Sequence, residues 1–192
     1  DPAYGNDTPA HQPAPVPDPI PQPLPEPKLN TITGTSSSDR LTGTVNNDEL
    51  LGLRGNDLLL GHAGNDQIDG GSGMDMLFGG DDADILTGGP GRDYFIFDAP
   101  FIGAVDTITD FKHAYDKIML DDSVFDNLDL GRLRASDFTT GTEARDATDM
   151  IIYNAQTGEL YYDSDATGAA NAEQFAQLTP GLNLTCLDFY VI

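Results

Sequence analysis

The stretch GHAGNDQID, residues 61–69, is one of seven consecutive copies of a nine-residue pattern in a chain of 192 residues. Each copy opens with a glycine, has an aspartate five residues later and an apolar residue two residues after that. The opening glycines are Gly34, Gly43, Gly52, Gly61, Gly70, Gly79 and Gly88. The aspartates are Asp39, Asp48, Asp57, Asp66, Asp75, Asp84 and Asp93. The apolar residues are Leu41, Leu50, Leu59, Ile68, Leu77, Leu86 and Phe95. Seven copies in one register predict a regular repeat structure.

The first six residues of each copy predict a tight turn, and the last three predict a short strand. Glycine tolerates positive φ, so such a turn can aim several backbone carbonyls into one concavity. The aspartate adds a carboxylate to these carbonyls, and calcium takes six to eight oxygen ligands of these kinds. In the strand, the apolar residue points inward and its two neighbours point outward. Because two copies complete one coil, we expect each turn to stack on the turn two copies away.

The stacking predicts which copies share calcium. Asp39, Asp57, Asp75 and Asp93 should line one edge of the coil, and Asp48, Asp66 and Asp84 the other. One ion between each stacked pair gives about five ions in all, under the oxygen-coordination rule. The predicted metal residues are these seven aspartates with Asp82 and with Gly52, Gly55, Gly61, Gly64, Gly70, Gly73, Gly79, Gly88 and Gly91. Thr35 and Ser37 replace glycine in the first copy, so we expect that copy to hold metal most weakly, if at all.

The repeat resembles the calcium-binding nonapeptide of RTX proteins, the hemolysin-type family. The resemblance and the spacing together predict an all-β fold. We expect a parallel β-roll, that is, a right-handed β-helix of two sheets, followed by a C-terminal antiparallel β cap. Ca²⁺ is the only cofactor expected, and its binding should supply folding free energy, since the metal-free chain cannot hold the site.

Composition divides the chain into three segments. Residues 1–33 are a proline-rich linker, with ten of the 13 prolines in residues 1–28, and proline there favours an extended spacer. A spacer implies an upstream domain in the same chain. Residues 34–96 are the repeats, and residues 97–192 are the cap. In the cap, residues 150–153 and 159–162 predict a hairpin, and residues 130–138 and 169–178 predict short helices.

One sheet of the expected roll has an apolar outer face. Leu58, Leu60, Met76, Phe78, Tyr94 and Ile96 occupy outward positions. An apolar patch of this size is unusual on a monomer. We therefore expect residues 97–192 to fold back over it, with docking of the upstream domain or a second copy as the alternative.

The cap resembles the segment that follows the repeats in serralysin-type and other hemolysin-type proteins. DTITDF at residues 106–111 and the ending DFYVI at residues 188–192 carry this likeness. It implies a secreted, extracellular protein, exported by a type I system in which an ABC transporter complex reads the C-terminus. Asp106 and Asp110, with Asp116, are candidates for one further calcium site, and a solvated acidic surface is the alternative.

Charge and motifs exclude several functions. The formal net charge is -23, with 32 acidic and 9 basic residues, so nucleic acid is not an expected partner. No apolar run is long enough for a membrane span. No His-Glu-x-x-His or Gly-x-Ser-x-Gly motif occurs, so we expect this fragment not to be an enzyme, although an enzyme upstream is expected. The alternative function is a polysaccharide-binding module, similar to those attached to mannuronan epimerases.

Overall fold

The computed structural model describes residues 29–100, 103–165 and 172–192. Within these ranges, the chain forms sixteen strands and no α-helix, and the single helical element is a 3₁₀ turn at Cys186–Asp188. Strands β1 to β8 are Asn30–Thr33, Arg40–Thr42, Asp48–Leu51, Leu58–Ala63, Gln67–Asp69, Met76–Asp81, Ile85–Thr87 and Tyr94–Phe97. Strands β9 to β16 are Asp106–Ile108, Lys117–Leu120, Gly131–Arg132, Phe138–Thr140, Ile151–Asn154, Glu159–Tyr162, Glu173–Gln177 and Phe189–Val191.

The repeat strands alternate between two parallel sheets, as predicted. The nine-stranded sheet has the order β1-β3-β5-β7-β9-β15-β14-β13-β12, and the seven-stranded sheet has the order β11-β16-β10-β8-β6-β4-β2. Leu41 pairs with Leu59 in one sheet, and Leu50 pairs with Ile68 in the other. Each repeat strand thus lies beside the strand 18 residues later, which confirms the predicted β-roll.

The core is the column of inward apolar residues between the two sheets. All seven predicted positions are buried, from Leu41 at 8% exposure to Leu50, Leu59 and Leu77 at 0%. The column continues past the repeats through Ile108, Ile118, Phe175 and Phe189. Burial of one such side chain contributes about 1.5–3 kcal/mol. The period of two along each strand therefore determines which side chains form the core.

The sheets continue without interruption into residues 97–192. Strand β10 pairs in parallel with β8, and β16 pairs in parallel with β10. Strand β9 follows β7, and β15, β14 and β13 add an antiparallel meander beside it. The predicted hairpin is confirmed, with Asn154 opposite Glu159. The C-terminal strands thus close one end of the roll by adding strands to both of its sheets.

Both predicted helices are wrong. Residues 130–138 contain β11 and the start of β12, and Gly131 has φ +107°, which an α-helix does not allow. Residues 172–178 contain β15, and residues 169–171 lie outside the described part of the chain. Strand β15 fills the position between β9 and β14, where pairing on both sides outweighs local helix preference.

The predicted cover over the apolar outer face is incomplete. Strands β10 and β16 extend the same sheet sideways instead of lying across it. Ile96 is 1% exposed, whereas Met76 remains 41% exposed and Leu58, Leu60, Phe78 and Tyr94 are half-buried. Within the described ranges, no helix is long and apolar enough to cross a membrane.

Candidate metal centre

The turns between strands form two stacks, one along each edge of the roll. On the first edge, the N–H of Asp39 donates to Oδ1 of Asp57 at 2.7 Å, that of Asp57 to Asp75 at 2.8 Å, and that of Asp75 to Asp93 at 3.1 Å. Through Oδ1, each aspartate therefore accepts a hydrogen bond from the backbone of the turn 18 residues earlier. The four aspartates lie in one row, as the repeat spacing predicts.

The second edge has the same ladder. The N–H of Asp48 donates to Oδ1 of Asp66 at 2.8 Å, and that of Asp66 donates to Oδ1 of Asp84 at 2.8 Å. The ladder fixes the orientation of each carboxylate, because Oδ1 is held by a backbone donor of the neighbouring coil. Oδ2 of each aspartate is then turned toward the interior of its own turn.

Five of these carboxylates have an unpartnered oxygen. Among the described residues, Oδ2 is buried and without a hydrogen-bond donor in Asp57, Asp66, Asp75, Asp84 and Asp93. Leaving a buried polar atom unpaired costs about 1–3 kcal/mol, and more for a charged group. Each of these five oxygens therefore requires a proton or a cation.

The opening glycines make room beside these oxygens. A Cβ placed on Gly70 would lie 2.7 Å from Oδ2 of Asp75 and 2.9 Å from the carbonyl oxygen of Gly88, in the next turn of the stack. A side chain would thus fill a space that one carboxylate oxygen and one backbone carbonyl share. The equivalent space beside Gly52 is bordered by Asp57 and Gly70, and that beside Gly61 by Asp66 and Gly79. A Cβ on Gly79 or Gly88 would meet Oδ2 of Asp84 or Asp93, and its three nearest atoms all belong to that aspartate.

Burial raises the pKa of these carboxyl groups well above the ordinary value of an aspartate. The pKa rises to about 6 in Asp66, Asp75 and Asp93, and to about 8 in Asp84. The ladder hydrogen bond to each group lowers its pKa and offsets only part of this effect. Neighbouring aspartates add repulsion, which disfavours the ionised form further. A divalent cation in the shared space would remove both penalties.

In the first two turns, hydrogen-bond donors of the turn itself satisfy the aspartate carboxylate, so no cation is needed there. Oδ2 of Asp39 accepts from the N–H and hydroxyl of Thr35 at 2.6 and 2.9 Å. Oδ2 of Asp48 accepts from the same two groups of Thr44 at 2.6 and 2.9 Å. Although burial acts to raise the pKa of Asp48, hydrogen bonds from Thr44 and Asn30 bring it below the ordinary value. Both aspartates therefore act as turn caps.

The residue after the opening glycine separates these two turns from the other five. In the five turns it has positive φ, and it is Leu53, His62, Gly71, Gly80 or Gly89, with φ from 77° to 106°. Thr35 and Thr44 do not have positive φ, which β-branched residues rarely adopt. Their N–H groups instead face the carboxylate. The threonine after the first glycine is the sequence signal for this difference, which the repeat pattern alone did not reveal.

The glycines at the fourth position of the repeat have another role. A Cβ on Gly73 would overlap the carbonyl group of Gly55, and one on Gly91 would overlap that of Gly73. Close backbone stacking therefore requires glycine at positions 73 and 91. Gly64 packs on the backbone of Asn46 in the same manner, and Gly55 packs on that of Ser37. Asp82 occupies this position in the sixth turn with φ +73°, and its Oδ2 accepts from the N–H of Gly64 at 3.3 Å.

The three C-terminal candidate aspartates lie at different places. Asp106 extends the ladder of the second edge, accepting from the N–H of Asp84 at 3.0 Å, and burial raises its pKa to about 7. Asp116 extends the first edge, accepting from the N–H of Asp93 at 3.0 Å. Asp110 accepts from the N–H groups of Gly88 and Gly89 at 2.9 and 2.8 Å. These carboxylates therefore continue two separate stacks and do not converge on one position.

The donor set fits calcium and no softer metal. Within the described ranges, no three His, Cys, Asp or Glu side chains converge, so side chains alone cannot form a metal cage. The positions beside Asp57, Asp66 and Asp75 combine a buried carboxylate oxygen with a carbonyl oxygen of the next turn in the stack. Hard cations bind such all-oxygen sets, and calcium accepts their irregular geometry more readily than magnesium.

The comparison with protein families agrees with this chemistry. The family model of the RTX calcium-binding nonapeptide repeat, in four copies, matches residues 30–59, 42–77 and 69–99. No curated protein matches the chain in sequence. The solution structure of the AlgE6R3 subunit of the Azotobacter vinelandii mannuronan C5-epimerase is 23% identical, with a TM-score of 0.28, over 85% of this chain and 84% of that one. The AlgE6R2 subunit of the same enzyme is 23% identical, with a TM-score of 0.30, over 84% and 91%.

Proposed function

We propose, from the premise that residues 30–99 are RTX calcium-binding repeats, that this chain contains a calcium-dependent folding module. The observation that supports it is the set of five buried Oδ2 atoms, in Asp57, Asp66, Asp75, Asp84 and Asp93, that have no hydrogen-bond donor. They offer up to five positions for calcium.

The residues of the turns would bind the ion together. The ladder N–H groups hold Oδ1 and so direct Oδ2 into the space beside each opening glycine. Carbonyls such as that of Gly88 border the same space. Bound calcium supplies the positive charge that keeps these carboxylates ionised inside the roll. With a net charge of -23, the metal-free chain repels itself, so calcium binding and folding are coupled.

A calcium titration followed by circular dichroism tests the proposal. In excess chelator at pH 7.5, we expect residues 30–192 to lack the β-sheet signal, which should appear cooperatively between micromolar and millimolar calcium. Equal magnesium is the control, because magnesium demands regular octahedral geometry and should not replace calcium. An unchanged spectrum in chelator would contradict the proposal.

We further propose that the protein is secreted by a type I system and folds outside the cell. The support is the repeat family and the acidic chain, which would stay expanded where calcium is scarce. Extracellular calcium is millimolar, which suits weak extracellular sites. Export of the chain by cells with and without an ABC transporter complex of this type tests the route. Equal export by both would exclude it.

A polysaccharide-binding role is the second candidate, and one surface favours it. The tyrosine groove lies at the C-terminal end of the seven-stranded sheet and is lined by Tyr94, Lys117, Met119, Arg132, Leu187, Phe189 and Tyr190. Two of the nine basic residues of this acidic chain meet exposed tyrosine there. Aromatic rings and fixed cations together suit a sugar chain that carries carboxylates.

Calorimetric titration with polyuronate oligosaccharides in calcium separates the two roles. If the groove binds them, Tyr190→Ala should weaken binding about tenfold, as expected for loss of one aromatic contact of roughly 1.5 kcal/mol. Tyr115→Ala is the matched control, since Tyr115 is 62% exposed and does not line the groove. No heat with the calcium-loaded protein would exclude the glycan role and leave the folding role intact.

A further inference from the structure

The first edge has one more turn than the repeat pattern contains. Residues 111–116 stack on the turn at residues 88–93, although they lack the glycines of the repeat. Asp93 donates its N–H to Oδ1 of Asp116 at 3.0 Å, and the N–H of Lys117 donates to the carbonyl of Asp93 at 2.9 Å. The ladder therefore ends at Asp116, and a last gap lies between these two turns, beside Asp93.

The final turn contains the same backbone hydrogen bond to its aspartate as the turns that contain Thr35 and Thr44. The N–H of Lys112 donates to Oδ2 of Asp116 at 2.7 Å, as the N–H groups of Thr35 and Thr44 do to their own aspartates. Lys112 occupies the equivalent place, four residues before the aspartate, and it too lacks positive φ. Asp116 thus needs no cation for Oδ2.

The side chain of Lys112 reaches back across the last gap. Its ammonium group donates to the carbonyl oxygen of Gly89 and lies 3.9 Å from Oδ2 of Asp110. Asp110 in turn accepts from the N–H groups of Gly88 and Gly89. The backbone of the last repeat turn is therefore bound by one carboxylate and one ammonium group.

Lys112 connects the two turns that border this gap. Its N–H bonds to Asp116 in its own turn, and its ammonium group bonds to Gly89 in the turn on the other side. Asp93, whose buried Oδ2 has no hydrogen-bond donor, borders the same gap.

We propose that the ammonium group of Lys112 is an internal cation that takes the place of calcium in the last gap of the first edge. This inference rests on the proposed calcium function and deepens it. The ammonium group donates to the carbonyl oxygen of Gly89, in the turn on one side of the gap, and its positive charge would oppose a divalent ion bound in the gap. Calcium then occupies the positions beside Asp57, Asp66, Asp75 and Asp84. The ammonium group of Lys112 supplies the positive charge beside Asp93.

Calcium counting on the whole chain tests this assignment. The protein is dialysed to equilibrium against saturating calcium in buffered salt at pH 7.5, and the bound metal per chain is the excess over the dialysate. We expect four ions for the wild type and five for Lys112→Gln. Arg92→Gln is the matched control, because Arg92 is exposed on the neighbouring turn and carries the same charge, and it should bind four ions. Lys112→Arg keeps the cation and should also bind four.

A double variant assigns the gained ion. Lys112→Gln combined with Asp93→Asn should return the count to four, since the gained ion requires the carboxylate of Asp93. Five ions in the wild type would overturn the assignment whether or not any variant folds, and an equal count in the wild type and Lys112→Gln would also overturn it. A wild type that binds no calcium would instead contradict the proposed function itself.

Discussion

The turns at residues 34–39 and 43–48 follow the same pattern as the five turns after them, yet they treat their aspartates differently. In the first two, threonine donates two hydrogen bonds to the inner carboxylate oxygen. In the other five, the equivalent residue has positive φ and the oxygen is unpartnered. The φ angle of the residue after the opening glycine therefore determines whether the aspartate is hydrogen-bonded within its own turn or requires a cation.

The first two repeats and the five that follow should differ in calcium binding but share one hydrophobic core. Leu50, in the second repeat, and Leu86, in the sixth, are both 0% exposed. In saturating calcium, Leu50→Ala and Leu86→Ala should each lower the free energy of unfolding by about 2–5 kcal/mol, because each leaves a cavity. Denaturant unfolding measures this, with Ile85→Ala as the exposed control. A small loss for Leu50→Ala alone would show that the first coils are not part of the cooperative core.

Removal of one carboxylate charge from each region should separate their calcium dependence. We expect Asp75→Asn to bind fewer ions and to raise the calcium concentration at the folding midpoint about tenfold or more, because ligand charge sets affinity. Asp48→Asn should leave the number of bound ions unchanged, since threonine already satisfies Asp48. The measurement is calcium titration followed by circular dichroism. Similar midpoint shifts for both variants would remove the distinction between the regions.

Acid should partly replace calcium in the five cation-requiring turns. Their carboxyl groups have raised pKa values in the roll, about 6 for Asp66 and Asp75 and about 8 for Asp84. A raised folded pKa means that the metal-free roll binds more protons than the unfolded chain. Its stability is thus fully present below about pH 4 and is lost as pH rises through 6 to 8.

The same linkage applies to calcium binding. The ion competes with these protons, so its apparent affinity should increase several-fold from pH 6 to pH 8. Far-UV circular dichroism in chelator across pH 4 to 8, with a parallel calcium titration, measures both effects. A metal-free roll that gains stability as pH rises through this range would contradict the assignment of buried carboxyl groups.

The smallest effect concerns the positive φ angle itself. Leu53 has φ +77° and is 48% exposed, so the left-handed conformation costs more than its side chain contributes. Leu53→Gly should therefore stabilise the calcium-loaded roll by about 1 kcal/mol, since left-handed backbone costs an L-residue about 1–2 kcal/mol. Val45→Gly, at an exposed turn position with ordinary φ, should not stabilise it. Denaturant unfolding in saturating calcium distinguishes the two.

The repeat period was sufficient to predict the roll but not its ends. Every ninth residue points inward, so the spacing alone places Leu59, Leu77 and their equivalents in the core. The closure by Thr35 and Thr44 depends on backbone conformation, which a consensus of glycine and aspartate does not encode. Strand β15 and the turn at residues 111–116 have no period, because each is positioned by partners that are distant in the chain.

Charges on the surface of this molecule and the five buried, unpartnered carboxylate oxygens should respond differently to salt. Sodium chloride at molar concentration shortens the Debye length to about 3 Å and screens the repulsion between charges on the surface. It reaches the enclosed oxygens of Asp57 or Asp84 much less. High ionic strength should therefore compact the metal-free chain without restoring its ordered coils. The requirement for calcium would then be set mainly by the buried carboxylates inside each turn, and the net charge of the chain would add to it.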